Sequence, residues 1–430
     1  MDLPHGWSRL VVRATGDEVG LRERLHGVIA ATHNDLGLWR AMVAASFRNH
    51  CAEVECRGVH VALQQKADLH KLASTPGGSG AFAHGTRVAV MRHAAIVATG
   101  VHVPSVEVPN EVFRRRFETI APDFVDRIEP ASGILTRWYA PEGWATSDLA
   151  TAAARECLAR AKVDPMDVDL VIVGTDSPDY LTPATSVVVQ HKLGAKNAGT
   201  FDVGCACASF PTALGIASGL VATQPWMKNV LVIGAYMMRK LADPNDPMIF
   251  LYGDGAGAAL IQPSDVPSIG AASYLADGAL TKDWFIEAGG TAEPITHAAI
   301  EAGRHVVKMH QKYPPSVNEE GWPKMIGELA QRDGFAVSDV DCFIFTQVRK
   351  RTIEKVMARL EQPMEKAHLV MDKWGYTGSA CIPMALHDAI EAGAVKSGSR
   401  VVLVGSGVGF DQAAISFVLT DALLTSNGAV

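Results

Sequence analysis

Asp167-Val168-Asp169-Leu170-Val171-Ile172 returns 172 residues later as Asp339-Val340-Asp341-Cys342-Phe343-Ile344, and each copy follows a helical stretch that ends in a turn. Two further echoes keep the order and nearly the same offset: NVLVIGA (229–235) with RVVLVGS (400–406), and GAALI (257–261) with QAAIS (412–416). Three echoes in register define two similar halves, 91–264 and 265–430. Within each half, helical segments alternate with short, β-branched, continuously apolar runs, the pattern of strands buried on both faces. Helices covering each sheet, with the halves packed together, give an α/β protein of five layers, α/β/α/β/α.

Upstream of the repeat the chain changes character. Residues 1–90 carry scattered Arg and His and little periodic order after about Ala45, and they end in STPGGSGAFAHGT (74–86), which reads as a flexible linker. The globular pattern starts at Met91, where MRHAAIVATGVHVP has the small-apolar run and Gly/Pro stop of a first buried strand. Residues 1–90 are therefore expected to be a poorly ordered extension, with Met91 a candidate native start.

The bulk properties agree with an ordinary globular protein: 430 residues, 48% hydrophobic and 20% charged. A formal net charge of −7 offers no broad basic field for nucleic acid, so an anionic partner must be met by a local patch. Seven cysteines without regular spacing read as reduced thiols of a cytosolic protein, not as a disulfide framework. The sequence shows no run of about 18 apolar residues that would span a membrane and no secretory leader pattern. No metal-ligand spacing is present, GDGAGA (253–258) matches neither GxGxxG nor a P-loop, and no cofactor is expected.

The chemistry concentrates in FDVGCACASF (201–210), which joins an apolar strand to the helix PTALGIASGLVA. Cys207 thus sits at a strand-to-helix turn, where unpaired N–H groups and the positive end of the helix dipole are expected to lower the thiol pKa and suit a nucleophile. Position alone leaves open the other fate of a free cysteine, a small buried hydrophobe.

Together with LYGDGAGAALI (251–261), GYTGSACIP (375–383) and VVLVGSGVGFD (401–411), this stretch resembles the β-ketoacyl-acyl-carrier-protein synthase III family of the thiolase superfamily, in order and spacing from Met91 to the C-terminus. The resemblance implies a thiolase-like fold, a homodimer, an acyl-Cys207 intermediate, and donors or acceptors held as thioesters of acyl carrier protein or coenzyme A. It also implies an oxyanion hole from the backbone N–H of Cys207 and of the glycine turn at Gly407 and Val408. Thr182, in DYLTPATS (179–186), falls on the loop that in the family closes the partner's acyl pocket, and a small residue there leaves room for a longer or branched chain. Arg349, Lys350, Arg351 and Lys355 fall where the family docks its acidic carrier. The positions that grip the nucleotide of coenzyme A fall near Arg127, Ala131 and Pro247, a poor set, and this tilts the donor towards a carrier protein.

One departure bears on the reaction. The family's His and Asn, which stabilise the enolate formed when malonyl loses carbon dioxide, are replaced by Thr346 in FTQVRKR (345–351) and Tyr376 in GYTGSA (375–380). Both hydroxyls can donate a hydrogen bond, but neither replaces His as a base near neutral pH. His297, His305 and His310 read as satisfied or exposed side chains, and Asp254 as structural. The sequence therefore points first to an acyltransferase that loads Cys207 and passes the acyl group on without decarboxylation, in fatty-acid or polyketide-type biosynthesis. A decarboxylative condensing enzyme with a Cys-Thr-Tyr site and a non-catalytic partner subunit are the alternatives, the latter opposed by the presence of Cys207.

Overall fold

The structure is a computed structural model that describes residues 92–426 and the strands Val11–Ala14, Ala52–Cys56 and Val59–Leu63. The chain divides into two units, 1–90 and 91–430. In the first, the three strands form an antiparallel sheet with Ala52–Cys56 in the middle. Two of these strands lie where the sequence reading found little periodicity; the Ser74–Thr86 linker lies outside the described residues.

The second unit holds two large sheets. The first contains β1 (His93–His102), β2 (Leu170–Gly174), β3 (Gly199–Val203), β4 (Val230–Tyr236) and β5 (Gly255–Ser264) in the order β1-β5-β4-β2-β3. Strand β5 runs antiparallel to its neighbours, whereas β2 lies parallel to both β4 and β3. The second contains β6 (Ile269–Ala276), β7 (Cys342–Phe345), β8 (Arg400–Gly407) and β9 (Asp411–Val418) in the order β6-β9-β8-β7, with β7 parallel to β8. Every residue of β2, β4 and β7 is buried, as continuous apolar runs require of strands covered on both faces.

Helix α1 (Thr146–Ala161) covers the outer face of the first sheet, and α3 (Gly321–Asp333) covers the second, with α4 (Lys350–Arg359) beside it. Between the sheets lie α2 (Ser209–Thr223) and α5 (Cys381–Glu391), each touching strands of both. Their all-round apolar composition follows from that placement: α5 is buried at nine of its eleven positions. The turn before α2 and α2 itself, Ala206–Thr223, are long and apolar enough to cross a membrane, which the sequence reading had not found; the segment is instead the central core helix of this unit.

The halves are not equal. Two similar halves would give matching sheets, but the second has four strands where the first has five. Where β3 would be matched, a single parallel bridge joins Phe343 to Ala367, with His368 N–H donating to Phe343 O. The buried Gln347 side chain takes over the remaining pairing: its amide donates to Phe345 O and His368 O and accepts from Val370 N–H. One side chain thus satisfies backbone groups that a ladder would otherwise have to pair.

Candidate active site

Cys207 lies in a tight turn, Ala206–Ala208, between the end of β3 and the start of α2. Its counterpart 172 residues on is the turn Gly378–Ala380 before α5, and the backbones match closely. Cys205 and Thr377 have φ/ψ of −109/29 and −104/30, Ala206 and Gly378 have φ of 45 and 43, and Ala208 and Ala380 have φ of −86 and −87. Ser379 therefore occupies in the second half the place that Cys207 has in the first. At φ 45 an alanine is in the left-handed region that costs a side chain about 1–2 kcal/mol, and Ala206 accepts that cost immediately before Cys207.

The two turns touch each other, and each is admitted by a glycine of the opposite half. A methyl group on Gly405 of β8 would press on the Cys207 carbonyl oxygen, and one on Gly234 of β4 would press on that of Ser379. Gly378 lies against the Tyr236 ring, and Gly407 against Cys205 and Ala206, so neither glycine has room for a β-carbon.

Tyr376 is hydrogen-bonded through its hydroxyl to Cys207 Sγ; the two residues are 6% and 2% exposed. Its backbone is clamped on both sides, N–H to Leu251 O and O from Gly253 N–H, both at 2.9 Å. The LYGDG stretch thereby aims the phenol. Asp254 in the same stretch is structural: its buried carboxylate accepts from Arg239 Nε at 2.6 Å and from Ala140 N–H at 2.8 Å. Thr346 follows β7 directly and is also buried; its Oγ1 accepts from Ser406 N–H on β8 at 2.9 Å. Cys207 and Tyr376 are thus joined directly, Thr346 is tied to the strand that packs on Cys207, and Gly407 sits beside the nucleophile turn, followed by the half-buried Val408.

Other candidates lie apart. Thr182 is exposed on a loop whose base is fixed by Asp202, which accepts from Thr185 N–H and Ser186 N–H at the start of the next helix, while its tip presents Tyr180 and Leu181 at 59% and 82% exposure. Arg349, Lys350 and Arg351 are exposed at the start of α4, three to five residues beyond Thr346, but Lys355 is paired with Glu319 at 2.7 Å. His297, His305 and His310 are exposed, and no histidine among the described residues is hydrogen-bonded to Cys207, Thr346 or Tyr376.

The electrostatics correct one expectation. Cys207 does not have a lowered pKa: burial raises it well above the ordinary thiol value, the carboxylate of Asp176 and the Cys381 thiol add to this, and the Tyr376 hydrogen bond and its own N–H only partly offset it. The helix start is there, but burial next to a negative charge outweighs it. Burial likewise holds the Tyr376 phenol well above its usual range, with Cys207 and Tyr236 adding to it.

Three acidic or hydroxylic neighbours, Asp176, Ser379 and Tyr236, escaped the sequence reading. Asp176, two residues past β2, accepts from Ser379 Oγ at 2.8 Å, and burial lifts its pKa to about 6. Tyr236, at the end of β4, has its ring 5.8 Å from that of Tyr376. The signal for Ser379 was the 172-residue offset, which assigns it the place of Cys207; an Asp directly after a buried apolar strand, VIVGTD (171–176), was the signal for Asp176.

Comparison with known proteins agrees with this geometry. The family model described as 3-oxoacyl-[acyl-carrier-protein (ACP)] synthase III matches residues 201–278, and its C-terminal companion matches 330–419. The β-ketoacyl-[acyl-carrier-protein] synthase III of Koribacter versatilis (strain Ellin345) is 33% identical over 328 residues, 75% of this chain and 97% of that protein. The crystal structure of 3-oxoacyl-[acyl-carrier-protein] synthase III from Aquifex aeolicus VF5 is 29% identical with a TM-score of 0.68, covering 76% of this chain and 100% of that one. The priming β-ketosynthase from the R1128 polyketide biosynthetic pathway is 30% identical with a TM-score of 0.71, covering 79% and 99%. This chain, with its thiolase-like fold and its buried cysteine at a strand-to-helix turn, belongs to the β-ketoacyl-[acyl-carrier-protein] synthase III family.

Proposed function

We propose that the protein is an acyltransferase of the β-ketoacyl synthase III type that forms an acyl-Cys207 thioester and passes the acyl group to a carrier-bound or small-molecule acceptor without decarboxylation, in fatty-acid or polyketide-type biosynthesis. The observation that carries this reading is the Cys207–Tyr376 hydrogen bond, with no histidine among the described residues hydrogen-bonded to either side chain. Acyl transfer needs a nucleophile and donors to the thioester oxygen, and the N–H groups of Cys207, Gly407 and Val408 suit that role. An enolate needs further donors. At the two positions the family uses for that role, the hydroxyls of Thr346 and Tyr376 stand in place of an imidazole and an amide; losing one oxyanion donor typically costs about 10²–10³ in rate.

The donors are thioesters of acyl carrier protein or coenzyme A. The exposed Arg349, Lys350 and Arg351 favour an acidic carrier. A homodimer of this chain in a reducing cytosol completes the reading: the apolar tip of the 179–185 loop, with Thr182 on it, needs a cover, and the half-buried β3 is an edge strand open to pairing.

Intact-protein mass spectrometry with a panel of acyl-coenzyme A and acyl-carrier donors tests this reading. The wild type should gain one acyl mass, and Cys207→Ser and Cys207→Ala none. Malonyl-carrier decarboxylation should be slow or absent and should rise in the Thr346→His, Tyr376→Asn double variant. Rapid malonyl condensation by the wild type, lost in Thr346→Ala or Tyr376→Phe, would establish instead a decarboxylative synthase whose hydroxyl pair stabilises the enolate.

A further inference from the structure

A thiol buried beside a carboxylate and away from any cation is a poor nucleophile until a base takes its proton. Tyr376 holds Cys207 Sγ, but a phenol above its usual pKa range does not accept that proton at neutral pH. We propose that Asp176 is the general base for Cys207 and the acid that protonates the leaving thiol, an assignment that rests on the acyl-cysteine reading above.

The geometry comes from the pairing of the two turns. Ser379 Oγ donates to Asp176 Oδ1 at 2.8 Å and so pins the carboxylate to the Gly378–Ala380 turn, which itself packs on the Ala206–Ala208 turn that carries Cys207. The pseudo-twofold therefore gives one half a nucleophile and the other a serine that holds the base. Asp176 as a residue is only partly covered, but its carboxylate is enclosed, and that enclosure is what raises its affinity for a proton. The titratable groups that act on it or feel it are Cys207 from the first turn, Tyr376 and Cys381 from beside the second, Tyr236 from β4 and Tyr252 from the stretch before β5. All are neutral near pH 7, and none is a cation that would hold Asp176 ionised and non-basic. Burial instead brings its pKa to about 6, close to working pH, where a general base is most effective.

The step balances as follows. The Sγ–H proton moves to the Asp176 carboxylate, the freed electron pair on sulfur attacks the acyl carbonyl carbon, and the tetrahedral intermediate collapses with cleavage of the bond to the donor sulfur. That sulfur leaves with the proton from Asp176, which returns to its carboxylate form. Transfer to the acceptor runs the same sequence in reverse.

Two rates measured from pH 5 to 9 test the assignment in wild type, Asp176→Asn and Ser379→Ala: acyl-enzyme formation with the best donor of the panel, and iodoacetamide alkylation located at Cys207 by peptide fragmentation. With Asp176 as base, both wild-type rates rise through a midpoint near 6. Asp176→Asn lowers both by about 10² or more and abolishes that limb. Ser379→Ala keeps the reaction but moves the midpoint up, because the lost hydrogen bond favoured the charged carboxylate.

The sign is decisive, because the asparagine also removes the charge that raises the Cys207 pKa. If Asp176 merely repels the thiolate, Asp176→Asn reacts as fast as wild type or faster, and the assignment is overturned. Circular dichroism and a thermal melt establish that the variants are folded; should Asp176→Asn not fold, an unmoved midpoint in Ser379→Ala overturns the assignment instead. A wild type that alkylates with the Asp176-dependent limb but takes up no acyl group removes the acyltransferase reading and leaves the base in place. Acylation that ignores Asp176 does the opposite.

Discussion

At Asp176 folding raises the affinity of a carboxyl group for its proton, from the ordinary value near 4 to about 6. Between those values the folded chain binds more protons than the unfolded one, so this group lowers stability as pH rises through the window, and the loss persists above it. Asp176→Asn removes the ionisation while retaining an acceptor for Ser379 Oγ. Its melting temperature is expected to exceed that of wild type at pH 7.5, with the gap closing towards pH 4; a pH series of thermal melts checks this, and a lower value at pH 7.5 contradicts it. A stabilised but slower enzyme is the usual trade at a catalytic position. The same scale shows what sequence can carry. The chemical types at 207, 346 and 376 and the turn that bears Cys207 were readable, since they depend on local order. The direction of the Cys207 pKa was not, because the helix start is visible in the sequence while complete burial and the charge of Asp176, 31 residues away, are properties of the fold.

Among the elements, the two turns are the parts with least tolerance. Gly378 combines a left-handed φ of 43 with a β-carbon position that lies inside the Tyr236 ring. Gly378→Ala is expected to cost about 2–4 kcal/mol, from the left-handed conformation and overpacking together. It should also slow acylation, because Tyr376 stands two residues away. Urea unfolding read alongside the acyl-enzyme rate checks both, and a shift under about 0.5 kcal/mol, the scale of an ordinary surface substitution, contradicts the packing argument. Strand positions were legible from their apolar runs, whereas the missing fifth strand was not: the segment 363–370 is too polar and proline-broken to read as a strand, and only the fold reveals that Gln347 substitutes for its ladder.

For the molecule as a whole, the internal repeat made the layered architecture readable, because two copies of one pattern must bury their sheets against shared helices. Which surfaces remain open is a matter of tertiary arrangement, and the exposed Tyr180–Leu181 tip beside Thr182 emerges only there. We expect a chain started at Met91 to fold, acylate at Cys207 and run as a dimer, because the described sheets, turns and site residues all lie in 92–426 apart from three short strands. Light scattering coupled to size-exclusion chromatography measures this; an insoluble or monomeric product would show that residues 1–90 belong to the fold or its interface.

The opposed turns also leave a trace outside any single structure. Tyr236 of the first half meets Gly378 of the second, and its positional counterpart Gly407 of the second half meets Ala206 of the first, so one contact is solved twice with glycine on opposite partners. Volume can pass between positions 236 and 378, or between 407 and 206, only when both members of a couple change together. Among descendants of the ancestral duplication these residues should drift as inversely correlated pairs, a large residue on one side answered by glycine on the other.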